Sequence, residues 1–484
     1  MARHARSFYT LDRDLARITH AEAAQLYAIR PVWRLGVAVL LLAAGLILAI
    51  GLSGGDSRLV APGAGLIVAG WLGLSIGAND IANSLGPAVG AGAVRLVPGL
   101  VLVALAGIAG ASLAGEAVAQ RLASGIVDVA WTGGGAGAAE GQMVMLSALI
   151  GAAVWITIAT GANLPVSTSH SVVGAIAGAG CAAFGAASVD WRGMLVIASA
   201  WMLTPLVAAA LAGSLLVLLQ SRVGEAPDRA RAARRWLPAL TGTMIGLFTA
   251  NIVSILPAAA MPLPWALLPG AAAGLAFGWL TRRRVEAALA IHGEGRPGMK
   301  LVLRAPLLMA AAMMGFAHGA GDAGNVAGPL LVILAPGPQD ALHVPWPVLA
   351  GAGAMIGLGA LLFGRRLVHM VAGGITRLNA TRAFCITLST ALIVLAAAGL
   401  GLPVSSTHTA VGGVFGVGFA REMLDRRRHR RHGRRRGALP GAEHRRRLLI
   451  RRSHVATITV AWMATVPLTA LIAALAFVLI DRAV

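Results

Sequence analysis

Long apolar segments recur along the whole chain, separated by stretches rich in arginine. Each segment holds about 18–25 residues, which is enough for a helix to cross a bilayer. Of the 484 residues, 57% are hydrophobic and 12% are charged, whereas soluble globular proteins carry about 25% charged residues. A soluble fold and a disordered chain are therefore excluded. Because the segments also lack the strict alternation of a membrane β-barrel, the sequence predicts an all-α polytopic membrane protein.

Thirteen segments qualify as candidate spans, so we expect about 12–13 transmembrane segments, some of them broken or re-entrant helices at the midplane. The candidate spans are 35–53, 61–90, 96–119, 143–161, 164–186, 193–219, 237–257, 263–281, 305–335, 346–363, 383–400, 402–420 and 454–480. Residues 125–142 and 336–347 are rich in glycine or proline, and we expect both to be exposed loops.

Most of the 40 basic residues fall in five clusters between the spans. The clusters lie at 1–34, 220–236, 282–304, 365–382 and 421–452. An even number of spans separates each cluster from the next, so all five lie on one face of the membrane. Positive charge collects on the cytoplasmic side of membrane proteins. We therefore expect a multi-pass protein of the cell membrane, plasma or inner, with a cytoplasmic N-terminal tail at 1–34.

The densest basic run, Arg426–Arg436, lies in the cluster 421–452. A charge run of this kind could bind RNA, DNA or anionic lipid. It contains no interleaved aromatic residues on which bases could stack. We interpret 421–452 as a retained cytoplasmic loop and expect no nucleic-acid partner.

Two short blocks each occur twice, in the same order. Asp80-Ile-Ala-Asn83-Ser-Leu-Gly86-Pro87 returns as Asp322-Ala-Gly-Asn325-Val-Ala-Gly328-Pro329, and Leu164-Pro165-Val166-Ser167-Thr168-Ser169-His170 returns as Leu402-Pro403-Val404-Ser405-Ser406-Thr407-His408. The two offsets are 242 and 238 residues, and a weaker match pairs Trp201 with Trp462. The chain therefore contains an internal duplication.

Span counting gives corresponding segments of the two halves opposite directions across the membrane. We therefore predict two inverted-topology repeats, a common plan for secondary transporters. The predicted parts are the tail 1–34, an extra N-terminal span in 35–60, the first repeat 61–220, a connecting region 221–304 with two spans and basic loops, and the second repeat 305–484.

Three carboxylates fall within the apolar segments, namely Asp80, Glu116 and Asp322. A charge inside a membrane costs at least a few kcal/mol and usually marks a binding site or an ion pathway. Because Asp80 and Asp322 occupy equivalent repeat positions, we expect both to belong to a site, although helix capping would also suit them. Glu116 lies near the end of a span, and we expect it to form a structural ion pair with Arg121.

An asparagine follows each of these aspartates at a spacing of three, which puts both side chains on one helix face. Carboxylate and amide oxygens suit a small cation such as Na⁺, and the aspartates could instead relay a proton. Asp80, Asn83, Asp322 and Asn325 are thus candidates for holding both substrate and coupling cation. Asn79 adds one more amide for the cation, in the first half only.

Each copy of the second block places three hydroxyl residues shortly after a proline. Proline and hydroxyl residues suit the start of a helix. A helix that starts inside the membrane aims free N–H groups and the positive end of its dipole at an anion. We therefore expect an anion-binding site that includes Ser167, Thr168, Ser169, Ser405, Ser406 and Thr407. The alternative is that these hydroxyls only cap two buried helix starts.

Histidines close both hydroxyl blocks. His170 and His408 could carry protons or could be packed, hydrogen-bonded side chains, and the sequence leaves both interpretations open. His318 has no counterpart in the first half, so we expect it to pack in the interior. Trp201 and Trp462 are also predicted to be packing or membrane-interface residues.

These motifs resemble those of the inorganic phosphate transporter (PiT) family. In that family each half carries the pattern Gly-Ala-Asn-Asp-Val-Ala-Asn, followed later by Gly-Leu-Pro-Val-Ser-Thr-Thr-His. Residues 77–83 match with one conservative change, and residues 163–170 and 401–408 match well. The second copy of the first motif, 319–325, departs at Gly321, where the family usually has Asn. The resemblance covers roughly 61–220 and 305–484.

The resemblance implies a cation-coupled symporter for inorganic phosphate that works by alternating access, with Na⁺ or H⁺ as the coupling cation. It implies no resident cofactor and no enzymatic activity. Expected partners are phosphate, the cation and the lipid bilayer, and a homodimer is left open. The alternative within the family is a permease for sulfate or for a metal–phosphate complex. An intramembrane hydrolase with Ser167, His170 and Asp80 as a triad is disfavoured, because a triad needs one copy of each group and here all are doubled.

Deleting residues 426–447 should leave the affinity for phosphate unchanged, because this run lies between the second hydroxyl block and the last span. The measurement is the concentration dependence of phosphate uptake by the deletion variant and the intact protein at matched membrane levels. Loss of uptake at a normal membrane level would contradict the prediction and give the loop a part in transport.

Overall fold

The structure is a computed structural model. It describes Gly36 and residues 60–127, 135–162, 164, 166–255, 261–292, 302–335, 343–374, 379–431 and 452–483. The predicted tail 1–34 and, apart from Gly36, the predicted span 35–53 lie outside the described residues. Most of the basic loop 421–452 lies outside them as well.

Fourteen α-helices make up most of the described residues. They are α1 (Val60–Gly90), α2 (Leu96–Ala114), α3 (Glu116–Ser124), α4 (Gly135–Gly161), α5 (Thr168–Phe184), α6 (Trp191–Leu219), α7 (Arg229–Ile255), α8 (Leu263–His292), α9 (Arg304–Leu334), α10 (Trp346–Phe363), α11 (Arg365–Gly374), α12 (Ala380–Gly399), α13 (Ser406–Arg431) and α14 (Arg452–Asp481). Within the described residues, eight helices are long and apolar enough to cross a membrane. The predicted all-α, multi-pass membrane fold is therefore confirmed.

Three local predictions were wrong. Residues 135–142, predicted as loop, belong to α4, because alanines that favour helix follow Gly135. The predicted loop 336–347 extends two residues too far, because residues 346 and 347 begin α10, whose bounds agree with the predicted span 346–363. Pro345 is the N-cap of α10, and a proline fits its first turn. The predicted span 96–119 is interrupted between α2 and α3.

The partner of Glu116 is also different from the one predicted. Its carboxylate lies 2.7 Å from Nδ1 of His343 and accepts a hydrogen bond of 3.3 Å from the backbone N–H of Val344. Glu116 is the first residue of α3, so its side chain can reach the chain that enters α10. Arg121 follows at a spacing of five, which on a helix points it to a different face.

In each half, the helix that carries the aspartate packs against a helix of the other half. A Cβ atom on Gly77 of α1 would overlap the carbonyl oxygen of Ile356 on α10, and one on Gly319 of α9 would overlap that of Gly107 on α2. Gly77 and Gly319 differ by the repeat offset of 242. Small residues allow such close approach of helix backbones in membranes. The helix that carries each aspartate thus packs against a helix of the other half.

The two helices that begin with the hydroxyl blocks, α5 and α13, also pack against a helix of the other half. A Cβ atom on Gly178 of α5 would overlap the carbonyl oxygen of Ala470 on α14, and one on Gly416 of α13 would overlap that of Ala209 on α6. Gly178 and Gly416 differ by the second repeat offset, 238. The duplication seen in the sequence is therefore also a duplication of contacts.

Helices α1 and α9 run in opposite directions past each other. A Cβ atom on Gly65, near the start of α1, would lie 2.7 Å from Cγ2 of Ile333, near the end of α9. Asp80 comes after Gly65 along α1, and its neighbour Asp322 comes before Ile333 along α9. Equivalent helices that run antiparallel are what inverted repeats require.

Helices α7 and α8 form a hairpin in the connecting region. Their glycines face each other, since a Cβ atom on Gly246 would lie 2.9 Å from the oxygen of Gly270 and one on Gly274 would lie 2.7 Å from that of Gly242. On α8, Leu275 is 76% exposed. In a membrane protein such exposed apolar side chains face lipid, so the hairpin lies at the periphery of the helix assembly.

The glycine crossings predict a stability effect. Gly416→Ala should destabilise the protein by about 1–3 kcal/mol or more, because the added methyl group meets backbone that cannot rotate away. The measurement is thermal unfolding of the purified protein in detergent.

Gly351→Ala is the matched control, because Gly351 is exposed on α10 with no atom within 4 Å of an added Cβ. Its unfolding temperature should stay the same or rise slightly, since alanine is better than glycine within a helix by about 0.5–1 kcal/mol. Equal unfolding temperatures for the two variants would contradict the predicted role of the crossing.

Candidate functional site

The two repeat-equivalent aspartates lie together in the interior. Asp80 on α1 and Asp322 on α9 are 0% and 2% exposed, and one oxygen of each lies within 4.8 Å of the other. Two negative charges at that distance repel by roughly 3–4 kcal/mol at an effective dielectric constant of 20. The site is therefore built around a charge that the surrounding groups must compensate.

Thr168, the first residue of α5, bridges the two carboxylates. Its Oγ1 lies 2.9 Å from Oδ2 of Asp80 and 3.3 Å from Oδ1 of Asp322. A hydroxyl group has one proton, so it can donate fully to only one of the two carboxylates at a time. The bridge joins the first hydroxyl block to the aspartates of both halves.

Asp80 also receives one donor from each half of the chain. Thr407 Oγ1 donates to Oδ1 of Asp80 at 3.2 Å, and Asn83 Nδ2 donates to the same oxygen at 3.3 Å. Asn83 Nδ2 also lies 2.8 Å from Thr407 Oγ1. The predicted residues Asp80, Asn83 and Thr407 are thus brought together across 324 residues of chain.

Asn325 takes the equivalent place beside Asp322. Its Nδ2 donates to Oδ1 of Asp322 at 3.0 Å and lies 3.4 Å from Oγ of Ser169. Its own Oδ1 is buried and has no hydrogen-bond partner among the described residues. Ser406 Oγ is likewise buried and has no hydrogen-bond partner among the described residues. Buried polar atoms are normally paired, so two groups of the predicted site are left for a ligand.

Both hydroxyl blocks stand at helix starts. Ser167 Oγ accepts a hydrogen bond of 3.2 Å from the backbone N–H of His170, and Ser405 Oγ accepts one of 3.2 Å from that of His408. These two serines therefore act as N-caps, whereas Thr168 and Thr407 reach the carboxylates. Gly401, at a φ of +65°, turns the chain before the second block. The positive ends of two helices accordingly meet at the aspartates.

His318 belongs to the site, although we had expected it only to pack. Its Nδ1 lies 2.8 Å from Oδ2 of Asp322, one helical turn further along α9. Asp80, His318 and Asp322 form one buried group whose ligand atoms all lie within 4.8 Å of one another. The spacing of four residues was the available signal. The repeat does not predict this contact, because the position equivalent to His318 in the first half is Ile76.

His170 and His408 lie in a row of four aromatic rings that meet edge-on or at a tilt. The ring centroids are 3.7 Å apart for Trp201 and His170, 4.5 Å for His170 and His408, and 3.7 Å for His408 and Trp462. Trp201 Nε1 also donates to the carbonyl oxygen of Pro403 at 2.8 Å. The row joins the two helix starts, as expected of packing residues. Proton transfer by His170 and His408 stays a prediction.

Asn79 makes its described contact away from Asp80. Its Nδ2 donates to Thr160 Oγ1 on α4 at 2.9 Å. The repeat-equivalent positions in the second half are Gly321 and Ala398, neither of which carries a polar side chain. The two halves therefore differ at this position.

The geometry does not support a hydrolytic triad. Ser167 Oγ accepts from the backbone N–H of His170, an interaction that caps the helix and does not activate a nucleophile. Asp80, the third proposed member, is bound by Thr168 and Thr407. A nucleophile needs a basic side chain within hydrogen-bond reach, and this arrangement provides a capped helix start.

The chain was compared with known proteins. The sequence profile of the phosphate transporter family matches residues 76–473. A putative phosphate permease of Helicobacter pylori is 37% identical over 378 residues, which are 76% of this chain and 70% of that protein. A putative phosphate permease of Pyrococcus abyssi is 32% identical over 408 residues, which are 83% of this chain and 94% of the relative.

A solved structure is also similar. It is titled "The sodium-dependent phosphate transporter", is 27% identical to this chain, and superimposes with a TM-score of 0.78 over 88% of this chain and 100% of its own. Sequence and structure comparisons therefore agree with each other and with the duplicated motifs. The chain belongs to the phosphate transporter family, and it is a multi-pass membrane protein for phosphate transport and not an enzyme.

Proposed function

We propose that the protein is a secondary active transporter that imports inorganic phosphate by symport with Na⁺ or H⁺ through alternating access. The observation that carries this proposal is the pair of buried carboxylates within 4.8 Å of each other, one from each half of a duplicated transporter fold. The proposal extends phosphate transport to its driving ion, its site and its conformational cycle.

The charge at the site supports coupling to a cation. Phosphate brings one or two negative charges near neutral pH, in addition to those of Asp80 and Asp322. Among the described residues, the one basic side chain within 4 Å of these carboxylates is His318. A buried anion beside two carboxylates would be strongly unfavourable, so we expect cations to bind with phosphate. Phosphate and cation then each depend on the other for binding.

The oxygen-rich surroundings of the two aspartates are the proposed cation site. Carboxylate and amide oxygens are good ligands for Na⁺, and the group includes Asn79, Asp80, Asn83, Asp322 and Asn325. The solved relative is titled a sodium-dependent transporter, which favours Na⁺ here. The contact between His318 and Asp322 offers a place for a proton instead, so H⁺ remains the second candidate.

The two helix starts and their hydroxyls are the proposed phosphate site. Free N–H groups and the positive ends of α5 and α13 suit an anion without a charged side chain. Ser167, Thr168, Ser169, Ser405, Ser406 and Thr407 surround this position, and Ser406 Oγ lacks a partner among the described residues. The substrate's own P–OH group can donate to Asp80 or Asp322, which resolves the apparent conflict of carboxylates in an anion site.

The fold supports alternating access. The site residues are buried, equivalent helices α1 and α9 are antiparallel, and each packs on a helix of the other half. Two inverted repeats that rock about such a site can open it to one side of the membrane at a time. An inward gradient of the coupling cation would then drive phosphate into the cell, because phosphate and cation cross in the same step.

The direct test is phosphate uptake by proteoliposomes that contain the purified protein, with Na⁺ and proton gradients imposed separately. Uptake driven by one of the two gradients supports the symport proposal and identifies the cation. Uptake that follows the phosphate gradient alone, with neither cation gradient having an effect, would contradict it.

Asp80→Asn and Asp322→Asn should each reduce coupled phosphate uptake by 100-fold or more, an effect of roughly 3 kcal/mol. The substitution keeps the shape of the side chain and removes the charge that attracts the cation. Glu116→Gln is the matched control, because Glu116 is the third carboxylate of the apolar segments and contacts His343 away from the site. Near-normal uptake by both aspartate variants would refute their proposed role.

Selectivity tests the proposed hydrogen bond from substrate to carboxylate. Sulfate is fully deprotonated near neutral pH, so it has no donor and would place a dianion beside Asp80 and Asp322. A site built for a donor can reject an analogue without one by about 10⁴-fold, and bound cations would reduce that factor. Arsenate has the charge, protons and shape of phosphate, so it should compete almost as well.

Inhibition of labelled phosphate uptake by each oxyanion, at fixed pH and cation concentration, measures this selectivity. Strong inhibition by sulfate at concentrations similar to phosphate would rule out the P–OH contact and favour the sulfate-permease alternative. Uptake that requires a divalent metal ion would favour transport of a metal–phosphate complex.

A further inference from the structure

A basic cavity lies between α8 and the start of α9, outside the two repeated motifs. Its volume is about 370 Å³. The cavity is lined by Thr281, Arg284, Val285, Val302, Arg304, Ala305 and Leu308. It thus combines two guanidinium groups and one hydroxyl group with an apolar wall.

The polar groups of this cavity have unused hydrogen-bonding capacity. Thr281 is 1% exposed, and its Oγ1 has no partner among the described residues. Arg304 donates from Nε to the carbonyl oxygen of Ala93 at 2.6 Å, which anchors the guanidinium and leaves its two terminal amino groups for a ligand. In the described part of the chain, no carboxylate lies within 4.0 Å of Arg284 or Arg304. Among the described residues, the cavity therefore holds positive charge without a carboxylate partner, beside an unpaired hydroxyl group.

Neighbouring residues place the cavity at the membrane surface. Trp279 is 56% exposed and follows the lipid-facing part of α8, and the Arg283 guanidinium lies 4.0 Å from the centre of its ring. Tryptophan and arginine in this arrangement mark the boundary between hydrocarbon and water. Thr281 and Arg284 come within the next two turns of the same helix. The cavity is thus at the depth of lipid headgroups.

We propose that this cavity binds the phosphate group of an anionic ligand at the membrane surface. Arg284 and Arg304 supply charge-assisted, fork-shaped donors that match phosphate oxygens, and the Thr281 hydroxyl donates a further hydrogen bond. Val285 and Leu308 suit the glycerol and first acyl carbons of an anionic phospholipid, and basic pockets between helices bind such headgroups. Free inorganic phosphate carries the same chemistry, so the test has one arm for each source.

The lipid arm uses the full-length protein, stripped of lipid in a neutral detergent. Phosphatidylglycerol should raise its unfolding temperature, whereas zwitterionic phosphatidylcholine should not. In the variant Arg284→Gln/Arg304→Gln, the apparent affinity for phosphatidylglycerol should fall by about tenfold or more for each arginine lost. The matched control is Arg282→Gln/Arg283→Gln, which removes equal charge from groups already engaged by Glu286 and Trp279 and should keep the response.

The free-phosphate arm uses the Asp80→Asn/Asp322→Asn background, in which the proposed transport site is disabled. Labelled phosphate that still binds there, and is lost on adding Arg284→Gln/Arg304→Gln, supports the cavity with free phosphate as its ligand. Neither arm requires uptake, and binding that is lost on adding Arg284→Gln/Arg304→Gln belongs to the cavity whether or not Asp80 and Asp322 form the transport site.

Two further variants guard against loss of folding, since Arg304→Gln also removes the bond to Ala93. Arg284→Gln alone and Thr281→Val leave that bond in place and should each weaken binding in the arm that responds. Responses to phosphatidylglycerol and phosphate that are equal in the cavity variants and in the Arg282/Arg283 control would overturn the proposal. Absence of any response in the unmodified protein would overturn it as well.

Discussion

Asp80 and Asp322 lie within 4.8 Å of each other in the interior of a membrane protein, and most of the polar structure around them supplies donors to two neighbouring carboxylates. Thr168 and Thr407 reach them from two helix starts, and an asparagine reaches each from one turn away on its own helix. Such groups reduce the cost of the two charges without removing them. A site with this residual charge binds an anion well only when cations bind with it, so the geometry supports the proposed coupling of phosphate to a cation.

The glycine crossings make this geometry possible. Without side chains at Gly77 and Gly319, α1 and α9 each lie directly against the backbone of a helix from the other half. Because the same crossing occurs twice, the aspartate of each half is held at a similar depth and the two helix starts converge between them. Packing and site are therefore coupled, since a shift at a crossing would move a carboxylate relative to the hydroxyl that bridges the pair.

Much of this arrangement could be predicted from the sequence, because repetition gave pairs of equivalent residues. The duplicated aspartates, asparagines and hydroxyl blocks do meet, and Ser167 and Ser405 cap helices as their residue type suggests. Contacts across the halves could not be predicted, since no local pattern shows that Thr407 binds Asp80, 327 residues away. The role of His318 was missed because the argument from symmetry gave no weight to a residue found in one half only.

The two carboxylates are equivalent by descent but not by environment. On the first-half side, α1 packs on α4 through polar contacts of Trp71 and Ser75 with Thr157 and of Asn79 with Thr160. The equivalent residues on α9 and α12 are Met313, Ala317, Leu395, Gly321 and Ala398, none of which has a hydroxyl or amide side chain.

The second half instead supplies His318 to Asp322, where the first half has Ile76. The contact between α1 and α4 in the first half thus carries a strip of hydroxyl and amide groups. The equivalent contact of the second half is apolar, and its helix α9 instead carries an imidazole beside Asp322. An imidazole can hold a proton beside a carboxylate, and amides and hydroxyls can only share hydrogen bonds or oxygen ligands with a bound ion. The asymmetry follows from the sequence differences alone. It gives the two halves different means of balancing the same charge, so the two aspartates need not take equal parts in the proposed cation coupling.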